Sequence, residues 1–204
     1  MNKIVILLSI LCLISCKESN SLSVEEERAL FEQSLPTVLD SIHLSIFPPP
    51  QNDSMVDLYE NGKMLIIIKD STEILSKEDQ IRFSEYYKNI LVKIDSSYQT
   101  KVDDEWYETK NLNSHKVKLN LKNERYNFIF DTESSTSNLP EGEKIFCGMI
   151  GLSDIKLDDS KQYALYAVSY KCCDRLNCGN GWNVYLKRNN NLWVIDAIIG
   201  TWIN

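Results

Sequence analysis

Few residues in this chain could act together chemically. Its 204 residues include two histidines, His43 beside an apolar helix stripe and His115 ahead of a strand, and neither belongs to a His-Glu-x-x-His pair or another cluster with metal spacing. No Gly-x-Ser-x-Gly elbow and no phosphate-cradling glycine loop occurs, and Gly179-Asn180-Gly181 reads as a turn between strands. Paired carboxylates can hydrolyse glycosides. With 29 acidic residues such pairs arise anywhere, so Asp174, Asp196 and the rest carry no weight. No catalytic residue, metal ligand or cofactor is assigned. The chemistry worth following lies in the six cysteines, at positions 12, 16, 147, 172, 173 and 178.

Residues 1–16 combine a basic start at Lys3, an apolar run from Ile4 to Ile14 and the ending Leu13-Ile14-Ser15-Cys16. The run is shorter than the ~20 residues needed to span a bilayer as a helix but suits a secretory signal. The ending resembles the lipobox of bacterial lipoproteins. That resemblance implies a signal peptide over 1–15, lipid on the Cys16 thiol and amine, and a tether over 16–22. Two or three acyl chains anchor firmly, since each buried methylene contributes ~0.8 kcal/mol. The membrane is therefore an expected partner, reached through palmitate-type chains and not through a spanning segment. Lys17-Glu18 lacks the aspartate of an inner-membrane retention signal and loosely resembles the surface-export signal of Bacteroidetes lipoproteins. The cell envelope is expected, with the outer membrane favoured and its leaflet open.

Removing Cys12 with the signal and Cys16 to lipid leaves Cys147, Cys172, Cys173 and Cys178. An even number in an exported protein reads as disulfides. Bonding the adjacent pair is sterically poor, which leaves two pairings. Strand alternation favours Cys147–Cys172 with Cys173–Cys178 slightly over the swap. Zinc held by four thiolates is the weaker reading, because zinc ribbons present two Cys-x2-Cys turns and an oxidising compartment favours disulfides. The absence of Cys-x-x-Cys argues against a redox enzyme.

The elements that must position these residues follow from patterning. A hydrophobic share of 43% supports one core, and a net charge of −7 gives no field to gather nucleic-acid phosphates. Residues 23–204 read as a single α+β domain. Ser23-Val24-Glu25-Glu26 fits a capping box, and Phe31, Leu35, Val38, Ile42 and Ile46 form a helical stripe that Pro36 should kink or split. Pro48-Pro49-Pro50 is a stiff break. Met64–Ile68 reads as a buried strand in a hairpin with Val56–Tyr59 through Asn61-Gly62. Ser76 should cap a second helix whose Phe83, Tyr87, Ile90, Leu91 and Ile94 share a face, with Tyr86-Tyr87 more simply core than ligand platform. Val117, Leu119 and Leu121, then Tyr126, Phe128 and Phe130, alternate as a second hairpin. Strands are expected at 146–150, 163–173, 182–187 and 192–202. The fold class is N-terminal helices packed on a mainly antiparallel sheet with a C-terminal β-meander. The runs Glu25-Glu26-Glu27 and Asp103-Asp104-Glu105 read as solvated faces.

Leu152-Ser153-Asp154-Ile155, Tyr163–Tyr170, Cys172, Leu176-Asn177-Cys178-Gly179, Gly181, Trp193-Val194-Ile195 and Thr201-Trp202-Ile203 together resemble a family of Bacteroidetes lipoproteins. Its members share a Tyr-x-Cys-Gly…Leu-Cys-Gly-x-Gly hairpin and a terminal Trp-x-Ile…Trp-Ile strand. Cys173 stands where the family pattern prefers glycine. The resemblance implies a lipoprotein with a meander and no particular activity. Asp40-Ser41-Ile42, Asp53-Ser54-Met55 and Asp70-Ser71-Thr72 also resemble loose O-glycan acceptors, Ser54 being the one in a loop.

The expected role is a non-catalytic envelope lipoprotein that binds a protein or glycan through the loops or open face of the meander around Asp174–Trp182. Trp182 is the anchor if exposed, although its alternation with Val184 and Leu186 points inward. An immunity or inhibitor lipoprotein is a subclass of this reading. The competing class is a small envelope hydrolase, which requires a concave site with two or more titratable groups of perturbed pKa.

Overall fold

The computed structural model describes residues 22–46, 64–94, 114–130, 147–158, 160–173 and 178–203, without the side chains of 43–46, 90–94, 147 and 203. Helix α1 (Val24–Ile46) begins as a capping box: Glu26 N–H donates to Ser23 Oγ at 3.3 Å and Ser23 N–H donates to Glu26 Oε2 at 2.9 Å. It runs as one helix through Pro36, so of the two expected outcomes the split does not occur. Burial of Phe31, Leu35, Val38, Leu39 and Ile42 on one stripe outweighs the single backbone bond that the proline removes. Helix α2 (Lys77–Ile94) starts at Ser76, whose Oγ accepts Asp79 N–H at 3.1 Å.

The strands are β1 (Met64–Ile68), β2 (Tyr126–Phe130), β3 (Cys147–Leu152), β4 (Lys156–Leu157), β5 (Tyr163–Cys172), β6 (Gly179–Asn189) and β7 (Leu192–Ile203). They form one seven-stranded sheet in the order β2-β1-β3-β5-β6-β7, with β4 pairing β5 off that path. From β3 onward every pairing is antiparallel, and β5-β6-β7 is the expected meander.

The two expected hairpins are corrected. Strand β1 lies between β2 and β3 and is parallel to both, so neither of its edges is left for Val56–Tyr59, which itself lies outside the described residues. Segment 117–121 is extended but unladdered. Val117 N–H donates to Asp70 O at 2.9 Å and Asn120 N–H to Glu32 Oε1 at 2.7 Å, while Val117 and Leu119 are buried with α1. Alternation reports one buried face; it does not report a neighbouring strand.

The α1 face of the sheet holds the larger core, joining Leu30, Phe31 and Leu35 to Ile66, Ile150, Tyr166, Val184 and Leu186. Phe31 meets the edge of Tyr166 at 5.1 Å, and Tyr166 OH shares a hydrogen bond with Ser34 Oγ at 2.9 Å. The opposite face carries Phe83, Tyr87, Leu165 and Tyr185 under α2. Tyr87 is fully buried and donates to Leu186 O at 2.8 Å, as expected of a core residue. The side chains of Ile90, Leu91 and Ile94 lie outside the described residues.

Candidate functional site

Two places gather polar or exposed groups that packing alone does not require. The first joins α1 to the loops at the sheet. Four residues past its Ser23 cap, α1 turns Glu27 inward, onto the stripe that continues through Leu30, Phe31 and Ser34. The stretch after β1 is fixed between two others: Thr72 N–H donates to His115 O at 2.9 Å, and Glu73 N–H donates to Leu152 O at 2.7 Å. Leu75 N–H donates to Asp154 Oδ1 at 2.7 Å.

These bonds bring Glu27, Thr72, His115 and Asp154 together. His115 Nε2 lies 2.9 Å from Glu27 Oε2, and His115 Nδ1 lies 3.3 Å from Thr72 Oγ1. Glu27 is 7% exposed, Asp154 6% and Thr72 2%. Burial pushes the Glu27 carboxyl up against the pull of His115, and Asp154 adds to the rise. Asp154 is pushed up by burial as well, opposed by its bond from Leu75 N–H. Glu27 Oε1 and Asp154 Oδ2 have no hydrogen-bond partner. A buried carboxylate oxygen in that condition favours holding a proton.

Hydroxyl, imidazole and carboxylate in sequence have the order of a nucleophilic relay. A nucleophile must reach its substrate, and Thr72 is sealed. Its Oγ1 also accepts His115 N–H at 3.2 Å, which ties the hydroxyl to the neighbouring backbone. The arrangement can hold three segments and a proton together; it does not present an attacking oxygen. Among the described residues no group of three His, Cys, Asp or Glu side chains is placed to hold a metal ion.

The second place is the far end of the meander. Cys172 and Cys178 are disulfide-bonded across the β5–β6 turn, with Cα atoms 5.5 Å apart and Cys172 N–H donating to Cys178 O at 3.2 Å. This corrects the preferred pairing in favour of its swap. The β5–β6 register ends at Lys171↔Gly179, so the next pair outward is Cys172 with Cys178 on one face. Cys173 is disulfide-bonded too. Continuing the β3–β5 register one pair beyond Gly148↔Cys172 sets the backbone of Cys147 opposite Cys173.

Beside this bridge, Trp202 lies over Gly181 and Gly179. A Cβ on Gly181 would fall 2.1 Å from Trp202 Nε1, and one on Gly179 3.1 Å from the ring. The two glycines make a flat seat, and the ring stays 38% exposed. Trp182 is instead buried in the larger core and cannot anchor a partner.

No family model, curated protein or solved structure matches this chain.

Cys16 and residues 174–177 lie outside the described residues, as do Ser54 and the run Asp103-Asp104-Glu105. Ser41 sits within α1 with Oγ donating to Thr37 O at 2.8 Å. Tyr86 packs 4.2 Å from Tyr185 and donates to Asp196 Oδ2 at 3.2 Å, and burial pushes its hydroxyl up to about 12. It belongs to the α2 layer and offers no open platform. Sequence reading missed Glu27, taken as part of a solvated run. Its place three and four residues before Leu30 and Phe31, on the apolar stripe, was the available signal. Asp154 and His115 are joined to it only by long-range hydrogen bonds, which no local pattern announces.

Proposed function

We propose that the chain is a lipid-anchored lipoprotein of the bacterial envelope, in the outer membrane by its Lys17-Glu18 start, that works as a non-catalytic binding module. The observation that carries the binding part is Trp202, half-open on its glycine seat where β7 ends beside the disulfide-closed β5–β6 turn. Aromatic side chains held rigidly lose little entropy on contact and dominate many interfaces. The partner class is an envelope protein or glycan. The anchor rests on the Leu13-Ile14-Ser15-Cys16 ending and on the resemblance of 151–203 to Bacteroidetes lipoproteins. In this reading Cys147 pairs with Cys173, giving two disulfides in the mature chain. The hydrolase reading loses support, because the relay-like group is closed at Thr72.

Intact mass of the native protein, expressed with its signal in a lipoprotein-competent host, tests the anchor and the staples together. Lipid mass on Cys16, four hydrogens gained on reduction and no change with chelator are expected. An intact N-terminus, or thiols released by chelator, overturns them. A photo-crosslinking residue at Ile199, exposed on β7 beside the seat, should trap one discrete envelope partner, and Trp202→Ala should remove that product. Crosslinking unaffected by Trp202→Ala overturns the binding surface.

A further inference from the structure

We propose that the body rests on the bilayer through the end opposite Trp202, with Val24 and Leu192 entering the lipid interface and Arg188 meeting headgroup phosphates. The proposal rests on the lipid anchor at Cys16 and adds which surface faces the membrane. Leu22 is packed against the larger core, and only six residue steps separate it from Cys16. At ~3.3–3.6 Å per residue those steps reach at most ~20 Å, so the α1 N-terminus cannot stand far from the membrane.

What surrounds that terminus is suited to lipid. Val24 is 61% exposed and Leu192 59%, the two most exposed large apolar side chains among the described residues. Leu192 follows a two-residue turn, Asn190-Asn191, in which both residues have positive φ (49° and 68°), the conformation of a tight, stiff β6–β7 hairpin. The turn before β5 lies beside it: Arg188 N–H donates to Gln162 O at 2.7 Å, and Asp158 Oδ1 accepts the N–H groups of Gln162 and Tyr163 at 2.8 and 2.7 Å. Arg188 stands 5.6 Å from the centroid of Trp193, which is buried in the core that Leu22 touches. The Glu26 carboxyl is held low first by its bonds from Ser23, and the charges of Arg188 and Lys161 lower it further.

Glu25 and Glu26 share this end, so its charge is mixed and bulk attraction to anionic lipid is small. Two shallow apolar insertions are weak in free solution and become effective when the anchor supplies a high local concentration. The opposite end of β6, where Gly181 pairs with Trp202 of β7, then lies roughly 25 Å further from the membrane, as eight strand residues span.

The test uses full-length lipidated protein in vesicles of phosphatidylethanolamine and phosphatidylglycerol, carrying an environment-sensitive fluorophore on Leu192→Cys or, at the far end of β5, on Lys171→Cys. Brominated lipid should cut emission at 192 to about half while leaving 171 unchanged. Co-flotation with no quenching at 192, or with equal quenching at both positions, overturns the orientation alone. Failure of the protein to float with vesicles overturns the anchor, and the orientation with it.

Discussion

Asp154 does two jobs with one carboxyl, and they can be separated by substitution. Its Oδ1 accepts Leu75 N–H while Oδ2 has no partner, and burial disfavours its charge. Asp154→Asn keeps an acceptor and removes the buried charge, so the urea midpoint at neutral pH should hold or rise. Asp154→Ala strands the Leu75 N–H and should cost about 1–3 kcal/mol. The same chemistry sets a pH dependence. Glu27 and Asp154 both have raised folded values, so the folded state binds these protons more tightly than the unfolded chain. Their contribution is complete below the ordinary carboxylate range and is lost as pH rises through the folded values. Urea titrations from mildly acid to neutral pH should show that fall, and Glu27→Gln should flatten it; an unchanged slope would remove Glu27 from the account. Local rules made Ser23 and Ser76 legible as caps, because a cap is decided within four residues. They show Glu27 on the apolar stripe but leave its contact with His115 unread, because His115 is brought in by hydrogen bonds between segments far apart in the chain.

At the scale of elements, each helix depends on its first turn and each sheet face on what covers it. Ser23→Ala removes the hydroxyl that accepts Glu26 N–H and should lower stability by about 1 kcal/mol, read as a shift in thermal midpoint. The glycine seat makes a sharper prediction. Gly181→Ala places a methyl where the Trp202 indole now lies, so the ring must leave. Tryptophan emission should move to longer wavelength and the partner crosslink at position 199 should fall, with far-ultraviolet dichroism little changed. Emission identical to the parent would show that the ring does not depend on the seat. Strands β3, β5, β6 and β7 were readable because alternation, length and turn residues agreed there. Strand β1 was readable as an element but not in its pairing. A five-residue apolar run says that both faces are buried and is silent on which strands flank it. Segment 117–121 failed for the converse reason: its alternation was genuine, and its backbone bonds go to Asp70 and Glu32.

For the whole molecule, α1 covers one face of a continuous sheet and α2 the other, while the sheet's two ends differ in chemistry. One end gathers the start of α1, the Asn190-Asn191 turn and Arg188; the other holds the Cys172–Cys178 bond and the glycine seat of Trp202. The Cys172–Cys178 bond closes a short loop, with a sequence separation of 6, so loop entropy gives it about 2 kcal/mol. Cys172→Ser with Cys178→Ser should lower the unfolding free energy by that amount, read from the shift in denaturation midpoint, with a mass that shows the remaining cysteines still oxidised. A loss several times larger would mean that the bridge holds more than its own turn. The position of β1 has a temporal consequence. Both of its neighbours come later in the chain, the second ending at Leu152, so the parallel β2-β1-β3 side of the sheet cannot close until most of the polypeptide exists. Residues 163–203 need only neighbouring partners and low contact order, so they should gain hydrogen-exchange protection first during refolding, with Met64–Ile68 among the last amides to slow.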